Sequence, residues 1–294
     1  MTEAYTLIDG GLSTAIERLG GDVSGQLWTA GLAVTDPDKL LAAHRSFVEA
    51  GAEVIATASY QCDARAFESF GYDATRARRV LTDMTTLARR ATEGTSTRVA
   101  ASVGPFGASL ANGSEYTGRY GVEWSVVEDY HREKLRILVD SGPDLVAVET
   151  IPLAREAQLI ADLLVEYGAP PTWFSFGCAD AQRTYGDDDL SVAVRGVSDY
   201  PNLVAVGVNC VAPATVSGAL LTIRQAIGDR PLIAYPNHGR AWDAVARTWT
   251  GDDATASIED SVDEWVSLGA RFVGGCCGVG PTEIARLAAR HTPR

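Results

Sequence analysis

The chain has 294 residues, of which 46% are hydrophobic and 21% are charged. These proportions are typical of a globular protein with a sizeable core and exclude disorder over most of the length. The formal net charge is −13, from 25 basic and 38 acidic side chains. An acidic surface repels phosphate groups, so nucleic acids and membranes are poor candidates for partners, whereas a cationic small molecule suits this charge.

The lysines and cysteines narrow the chemistry further. Lys39 and Lys134 are the only lysines, and both lie in predicted helices away from any strand end. Because Schiff-base chemistry needs a lysine in a pocket, imine-forming enzymes are almost excluded. The N-terminus lacks the pattern of a signal peptide, and no apolar run approaches the length of a membrane span. The number of cysteines is five, and an odd number cannot all pair in disulfides within one chain. We therefore expect a cytoplasmic protein with reduced thiols.

Short β-rich segments alternate with longer helical patterns along the chain. The predicted strands are Tyr5–Ile8, Glu53–Ala58, Arg98–Val103, Asp144–Val148, Thr172–Phe176, Leu203–Val208, Pro231–Tyr235 and Ala270–Val273. Such alternation predicts parallel βαβ units, and eight of them predict an α/β protein with a (β/α)8 TIM barrel, as a single domain over residues 1–294. A doubly wound open sheet is the competing architecture, but no GxGxxG or Walker A motif follows the first strand.

Two further predictions concern loops and histidines. The segment Phe106–Gly121 is rich in Gly, Ser and Asn and is predicted to be a long functional loop, with the role of a lid as one option. His44 and His131 fall in helical patterns and are predicted to be ordinary surface residues.

The active site of a (β/α)8 barrel lies at the C-terminal ends of its strands. Polar side chains at the predicted strand ends are Asp9, Tyr60, Glu149, Asn209, Cys210, His238, Cys276 and Cys277. The three cysteines of this set lack the paired spacing of a structural zinc finger but are compatible with an open catalytic zinc site. Buried core thiols are the alternative interpretation, which we favour for Cys62 and Cys178.

The motifs that carry these residues resemble a known family. LIDGGLSTAIERLG, ATASYQ, SVGPFGASLANGSEYTG, VAVET, GVNC, YPN and RFVGGCCGVGP occur in the order seen in the homocysteine S-methyltransferase family. The resemblance covers nearly the whole chain and is greatest to the short branch that uses S-methylmethionine or S-adenosylmethionine. One departure follows YPN, where His238-Gly239-Arg240 replaces the Ser-Gly-Glu of many relatives.

This resemblance implies a zinc-dependent methyltransferase that makes methionine from homocysteine. Cys210, Cys276 and Cys277 would hold Zn²⁺ and act as the catalytic residues. Asp9 and Glu149 would bind the ammonium group of homocysteine, and the backbone of Gly10 and Gly11 would meet its carboxylate. The donor would be a sulfonium, S-methylmethionine first and S-adenosylmethionine second.

The aromatic candidates for seating a sulfonium through cation–π attraction are Tyr60, Trp173, Phe106 and Tyr235, with packing in the barrel core as the favoured alternative for each. Asn209 is predicted to hydrogen-bond near the metal. The expected partners are homocysteine and the donor, with the chain as a monomer or a small homo-oligomer.

Other functions remain open at the level of sequence. One alternative is a barrel enzyme that binds phosphate at the loops after strands seven and eight, where Gly274-Gly275 lies. A thiol hydrolase using Cys210 with His238, and a non-catalytic zinc or amino-acid sensor, are further alternatives. A different thiol acceptor, or betaine as the methyl donor, would leave the metal chemistry unchanged.

Overall fold

Residues 5–25, 27–239, 241–243, 248–250 and 258–290 are described by a computed structural model. Its strands are β1 Thr6–Leu7, β2 Val54–Ala56, β3 Arg98–Val103, β4 Leu145–Ile151, β5 Thr172–Phe176, β6 Leu203–Asn209, β7 Leu232–Tyr235, β8 Ala241–Asp243, β9 Thr248–Thr250 and β10 Ala270–Val273. All eight predicted strands are present, and those at Arg98, Thr172 and Ala270 have the predicted bounds.

Eight strands form one parallel sheet in the order β1-β10-β7-β6-β5-β4-β3-β2. A parallel bridge between Ile8 and Val54 joins the two ends of this order. Hydrogen bonds reinforce the closure, since Glu53 N donates to Leu7 O at 2.7 Å and Asp9 N donates to Val54 O at 3.0 Å. The predicted (β/α)8 barrel is therefore confirmed.

The helices are α1 Leu12–Arg18, α2 Leu32–Thr35, α3 Pro37–Glu49, α4 Ala64–Glu68, α5 Ala74–Thr92, α6 Phe106–Ser109, α7 Trp124–Asp140, α8 Ala154–Glu166, α9 Leu190–Ser198, α10 Pro213–Ile227, α11 Ile258–Ser267 and α12 Pro281–Arg290. Aspartate side chains cap the N-termini of several of these helices. Asp36 accepts from Lys39 N ahead of Pro37, and Asp73 accepts from Arg76 N. These caps satisfy backbone donors that the first helical turn leaves free.

Two apolar layers hold the barrel together. Inside the sheet, small side chains such as Ala100, Ala147 and Ala205 leave room for the fully buried ring of Trp173. Outside the sheet, Val, Leu and Ile from the strands pack against the apolar faces of the helices. Burial of this area supplies the main stabilising free energy and holds the strand ends in fixed relative positions.

The structure corrects several predictions about polar residues and loops. His44 on α3 and His131 on α7 are fully buried, not surface residues. The Phe106–Gly121 segment contains α6 and a 3₁₀ turn at Ser114–Tyr116. The strands β8 and β9, which pair in antiparallel fashion, are additional to the eight predicted strands.

In the part of the chain that the structure describes, no helix is long and apolar enough to cross a membrane. Arg240, which belongs to the departure after YPN, lies outside the described residues.

Candidate active site

Three thiols meet at the C-terminal end of the barrel. The Sγ atoms of Cys210, Cys276 and Cys277 all lie within 4.8 Å of one another. Cys210 follows β6, whereas Cys276 and Cys277 follow β10, so the fold brings together residues from opposite sides of β7. The sequence prediction that these three cysteines converge is confirmed.

Backbone geometry aims the thiols at one point. Cys210 has a φ of 51°, in the left-handed region that costs a residue other than glycine about 1–3 kcal/mol. Gly275 lets the loop after β10 pack closely, because a Cβ there would lie 2.2 Å from Val279 Cγ1. The surrounding fold therefore offsets local strain to place the thiols at the barrel mouth.

Hydrogen bonds within this group favour ionisation of Cys210. Contacts from the Cys276 and Cys277 thiols and from the Tyr116 hydroxyl hold the pKa of Cys210 below its usual value. The Tyr116 hydroxyl oxygen lies 3.7 Å from Cys210 Sγ. A thiolate is the form of cysteine that binds metals, so Cys210 is suited to that task. The hydrogen bonds to Cys210 raise the pKa of Cys276 and Cys277, which concentrates the negative charge of the group on Cys210.

A cavity of about 390 Å³ opens beside the thiols. The carboxylates that line it are Asp9, Glu17, Asp22, Glu115 and Glu149. Among the described residues of its wall, none is Lys, Arg or His. Five carboxylates beside three thiols give the cavity a negative potential, which favours cationic ligands.

Asp9 and Glu149 are the deepest of these carboxylates. Asp9 Oδ2 accepts a hydrogen bond from Ala56 N at 2.8 Å. Glu149 accepts hydrogen bonds from the hydroxyls of Ser102 and, at 3.2 Å, Tyr235. Burial raises the pKa of Asp9, and the charge of Glu149 raises it further. Burial likewise raises the pKa of Glu149 to about 7, so a cation beside this pair would relieve an unfavourable concentration of negative charge.

Asn209 lines the cavity while its amide atoms bind the protein. Its Oδ1 accepts from Thr150 N at 2.7 Å and from Ser175 Oγ at 2.8 Å, and its Nδ2 donates to Thr150 Oγ1 at 2.7 Å. Thr150 has a φ of 59° directly after Glu149. Asn209 therefore supports the backbone that presents Glu149 and occupies the position next to Cys210.

Gly10 and Gly11 form the wall beneath the cysteines. A Cβ at Gly10 would lie 2.3 Å from Val279 O, and one at Gly11 would lie 2.7 Å from Cys276 O. Gly11 N also donates to Val279 O at 2.8 Å. Glycine is needed here because the chain after β1 touches the backbone of the cysteine loop. Contact of these residues with a substrate carboxylate stays a prediction.

Aromatic rings line part of the cavity. Of the four candidates for sulfonium binding, Tyr60 and Tyr235 line the cavity, whereas Trp173 lies in the barrel core and Phe106 packs against α7. The sequence prediction missed Trp28, whose ring meets Tyr60 edge-to-face at 6.0 Å. It begins the short 3₁₀ helix Trp28–Gly31, for which hydrophobic periodicity offers no signal.

Lys134 supports Tyr60 from below, contrary to the prediction that it lies away from the strand ends. Its Nζ donates to Tyr60 O at 2.7 Å and to the Tyr130 hydroxyl at 3.0 Å. The side chain is fully buried, and desolvation lowers its pKa to about 8. Both interactions leave the ammonium facing the protein, so its role here is to position Tyr60.

The loop between β3 and α7 contributes two residues that sequence reasoning did not single out. Glu115 lines the cavity, and burial raises its pKa to about 7. Tyr116 packs edge-to-face on Tyr185 at 5.3 Å, and the Tyr185 hydroxyl donates to Cys210 O at 3.1 Å. The motif GSEYTG contains both residues, but its loop conformation decides that they point inward.

Comparison with known proteins agrees with this geometry. The family model for homocysteine S-methyltransferase matches residues 6–291. The chain belongs to the homocysteine S-methyltransferase family. It is therefore a methyltransferase, and the resemblance stated from the motifs is confirmed.

Individual members of the homocysteine S-methyltransferase family match over nearly their full length. Homocysteine S-methyltransferase 2 of Arabidopsis thaliana is 36% identical, covering 100% of this chain and 95% of the relative. Homocysteine S-methyltransferase of Escherichia coli is 36% identical, covering 97% of this chain and 94% of the relative. The metallated crystal form of homocysteine methyltransferase MmuM from Escherichia coli aligns with a TM-score of 0.86 and 33% identity, covering 98% of this chain and 96% of that one.

Proposed function

We propose that the protein transfers a methyl group from a sulfonium donor to the thiol of homocysteine and so makes methionine. S-methylmethionine is the proposed first donor and S-adenosylmethionine the second. The observation that carries the proposal is the group of three thiols beside a cavity lined by carboxylates. The names of the matched homocysteine S-methyltransferases support the acceptor.

The donor atoms fit a zinc ion. Tetrahedral zinc–thiolate sites have sulfur atoms about 3.8 Å apart, given a bond length of about 2.3 Å. The separations of up to 4.8 Å between Cys210, Cys276 and Cys277 need only small side-chain movements to reach this value. A Zn²⁺ ion held there would supply Lewis acidity that keeps a fourth, substrate thiol ionised at neutral pH.

The carboxylates orient the acceptor. Asp9 and Glu149 are proposed to bind the ammonium of homocysteine, which places its thiol toward the cysteines. Binding a cation offsets the cost of keeping two buried carboxylates close together. Asn209 holds the Glu149 backbone in place through Thr150.

The transfer is an in-line displacement. The homocysteine sulfur forms a bond to the methyl carbon while the bond from that carbon to the sulfonium sulfur breaks. The bonding pair stays on the departing sulfur, which becomes a neutral thioether, and the proton of the homocysteine thiol is released to solvent. The protein contributes alignment of the two sulfurs, which supplies much of the rate in such reactions.

A parallel assay of donors tests the proposal. Zinc-loaded protein is incubated with homocysteine and S-methylmethionine, S-adenosylmethionine or betaine, and methionine is measured. We expect methionine to form fastest with S-methylmethionine as the donor. The protein should bind about one zinc per chain, and Cys210→Ala should lose both the zinc and the activity. Failure to form methionine with any of the three donors would refute the proposal.

The alternative of a phosphate site at Gly274-Gly275 has less support. Gly274 N donates to Ala234 O at 3.2 Å, and Gly275 N donates to Asp9 O at 3.0 Å. Backbone donors engaged in this way are not offered to a phosphate. The carboxylates of the neighbouring cavity would also repel an anion.

A further inference from the structure

One carboxylate oxygen at the cavity has no hydrogen-bond partner in the part of the chain that the structure describes. Glu115 Oε2 is buried and accepts no hydrogen bond from the described residues. An unsatisfied buried carboxylate is costly, because it has lost its hydration without gaining a donor. Glu115 also lines the cavity in which the substrates are proposed to bind. The missing donor is therefore one that a ligand can bring.

The loop holds Glu115 in a defined position. It lies in the 3₁₀ turn Ser114–Tyr116, and Asn112 Oδ1 accepts from Ser114 N at 3.1 Å and from Ser114 Oγ at 2.6 Å. Gly107 packs so closely on this turn that a Cβ there would lie 2.6 Å from Glu115 N. A carboxylate fixed by such contacts is preorganised, so a ligand does not have to order it.

The surroundings of Glu115 differ from those of the acceptor carboxylates. Its charge acts on the hydroxyls of Tyr60 and Tyr116, and it interacts with Cys210. The charge of Glu149 also acts on Tyr60 and on Asp9. The difference is that the Glu149 carboxylate accepts hydrogen bonds from Ser102 and Tyr235, whereas Glu115 Oε2 accepts none from the described residues. The cavity thus offers one anionic position at Asp9 and Glu149 and a second at Glu115, with the thiols accessible to both.

We propose that Glu115 binds the α-ammonium group of the methyl donor and selects amino-acid sulfoniums as donors. This inference rests on the proposed function, in which two amino acids, each with an ammonium, occupy the cavity together. The first anionic position takes the ammonium of homocysteine, and the second takes that of the donor.

The unsatisfied oxygen decides between the two cationic groups of such a donor. A sulfonium centre carries no N–H or O–H and leaves Oε2 without a hydrogen bond. An ammonium has three N–H donors and satisfies this oxygen directly. A charged hydrogen bond of this kind is worth a factor of about 10 to 150 in affinity.

The test removes each partner in turn. Zinc-loaded wild-type protein and Glu115→Gln are assayed with S-methylmethionine and with (3-carboxypropyl)dimethylsulfonium, which is the same donor without its amino group. We expect the wild type to prefer S-methylmethionine by at least tenfold in kcat/KM. In Glu115→Gln the preference is expected to fall to within about threefold, with the KM for homocysteine and the zinc content unchanged.

Glu123→Gln serves as the control, because Glu123 is an exposed carboxylate outside the cavity whose side chain makes no capping hydrogen bond at the start of α7. It is expected to keep the wild-type preference. A wild type without the preference, or a Glu115→Gln variant that retains it, would overturn the assignment of Glu115. A wild type that uses no sulfonium donor at all would instead refute the proposed function.

Discussion

Replacing Glu156 should release the loop that carries Glu115. Glu156 is fully buried on α8, and its Oε1 accepts from Phe106 N at 2.6 Å and from His131 Nε2 at 2.8 Å. Its other oxygen accepts from the Tyr120 hydroxyl. Phe106 and Tyr120 lie near the two ends of the loop, so a single carboxylate fixes both ends.

The magnitude follows from the donors that lose their acceptor. Glu156→Leu keeps a similar volume but leaves three buried groups unpaired, at about 1–3 kcal/mol each. Relief of the buried carboxylate's desolvation offsets part of this cost. Because removing one partner of a buried pair usually costs about 3–5 kcal/mol, we expect the free energy of unfolding to fall by about that amount.

Urea denaturation followed by circular dichroism measures this change. Tyr120→Phe removes one donor only and should cost about 1–2 kcal/mol, which keeps the test informative if Glu156→Leu does not fold. Glu166→Leu on the same helix is the matched control, because Glu166 is 53% exposed and pairs with Arg132 at the surface. Its cost should stay below about 1 kcal/mol. If Glu156→Leu and Tyr120→Phe were both as stable as Glu166→Leu, the loop-anchoring argument would be wrong.

Two further predictions concern pH. Burial lowers the pKa of His44 from 6.5 to about 4, so its stabilising contribution is complete above pH 6.5 and is lost as pH falls toward 4. Relative to His44→Phe, the wild type should lose about 3 kcal/mol of unfolding free energy over that pH range, as measured by denaturation at a series of pH values. If the free energies of the two proteins changed in parallel with pH, the low pKa of His44 would be contradicted. Burial lowers the pKa of Lys134 from 10.5 to about 8, so the wild type should gain about 3 kcal/mol relative to Lys134→Met as pH rises from 8 to 10.5. A constant difference between those two proteins would show that Lys134 is not held in a desolvated site.

The sequence by itself determined the barrel and the cluster of three thiols. Parallel βα units place every strand end on one face, so motifs that directly follow strands converge whatever their separation in the chain. Cys210 and Cys276 illustrate this, because they are distant in sequence but their sulfurs lie within 4.8 Å. The strand-end carboxylates Asp9 and Glu149 were located by the same argument.

Only the tertiary structure decided the environment of polar residues on helices and loops. His44 and His131 look like surface residues in a helical pattern, and Lys134 was expected in a helix away from the strand ends, yet packing buries all three completely. Helical periodicity identifies a face, but the neighbouring elements determine whether a polar side chain on that face meets a partner such as Glu156 or Tyr60. Glu115 depends still more on tertiary structure, because its direction is set by backbone turns and close contacts that no periodic pattern encodes.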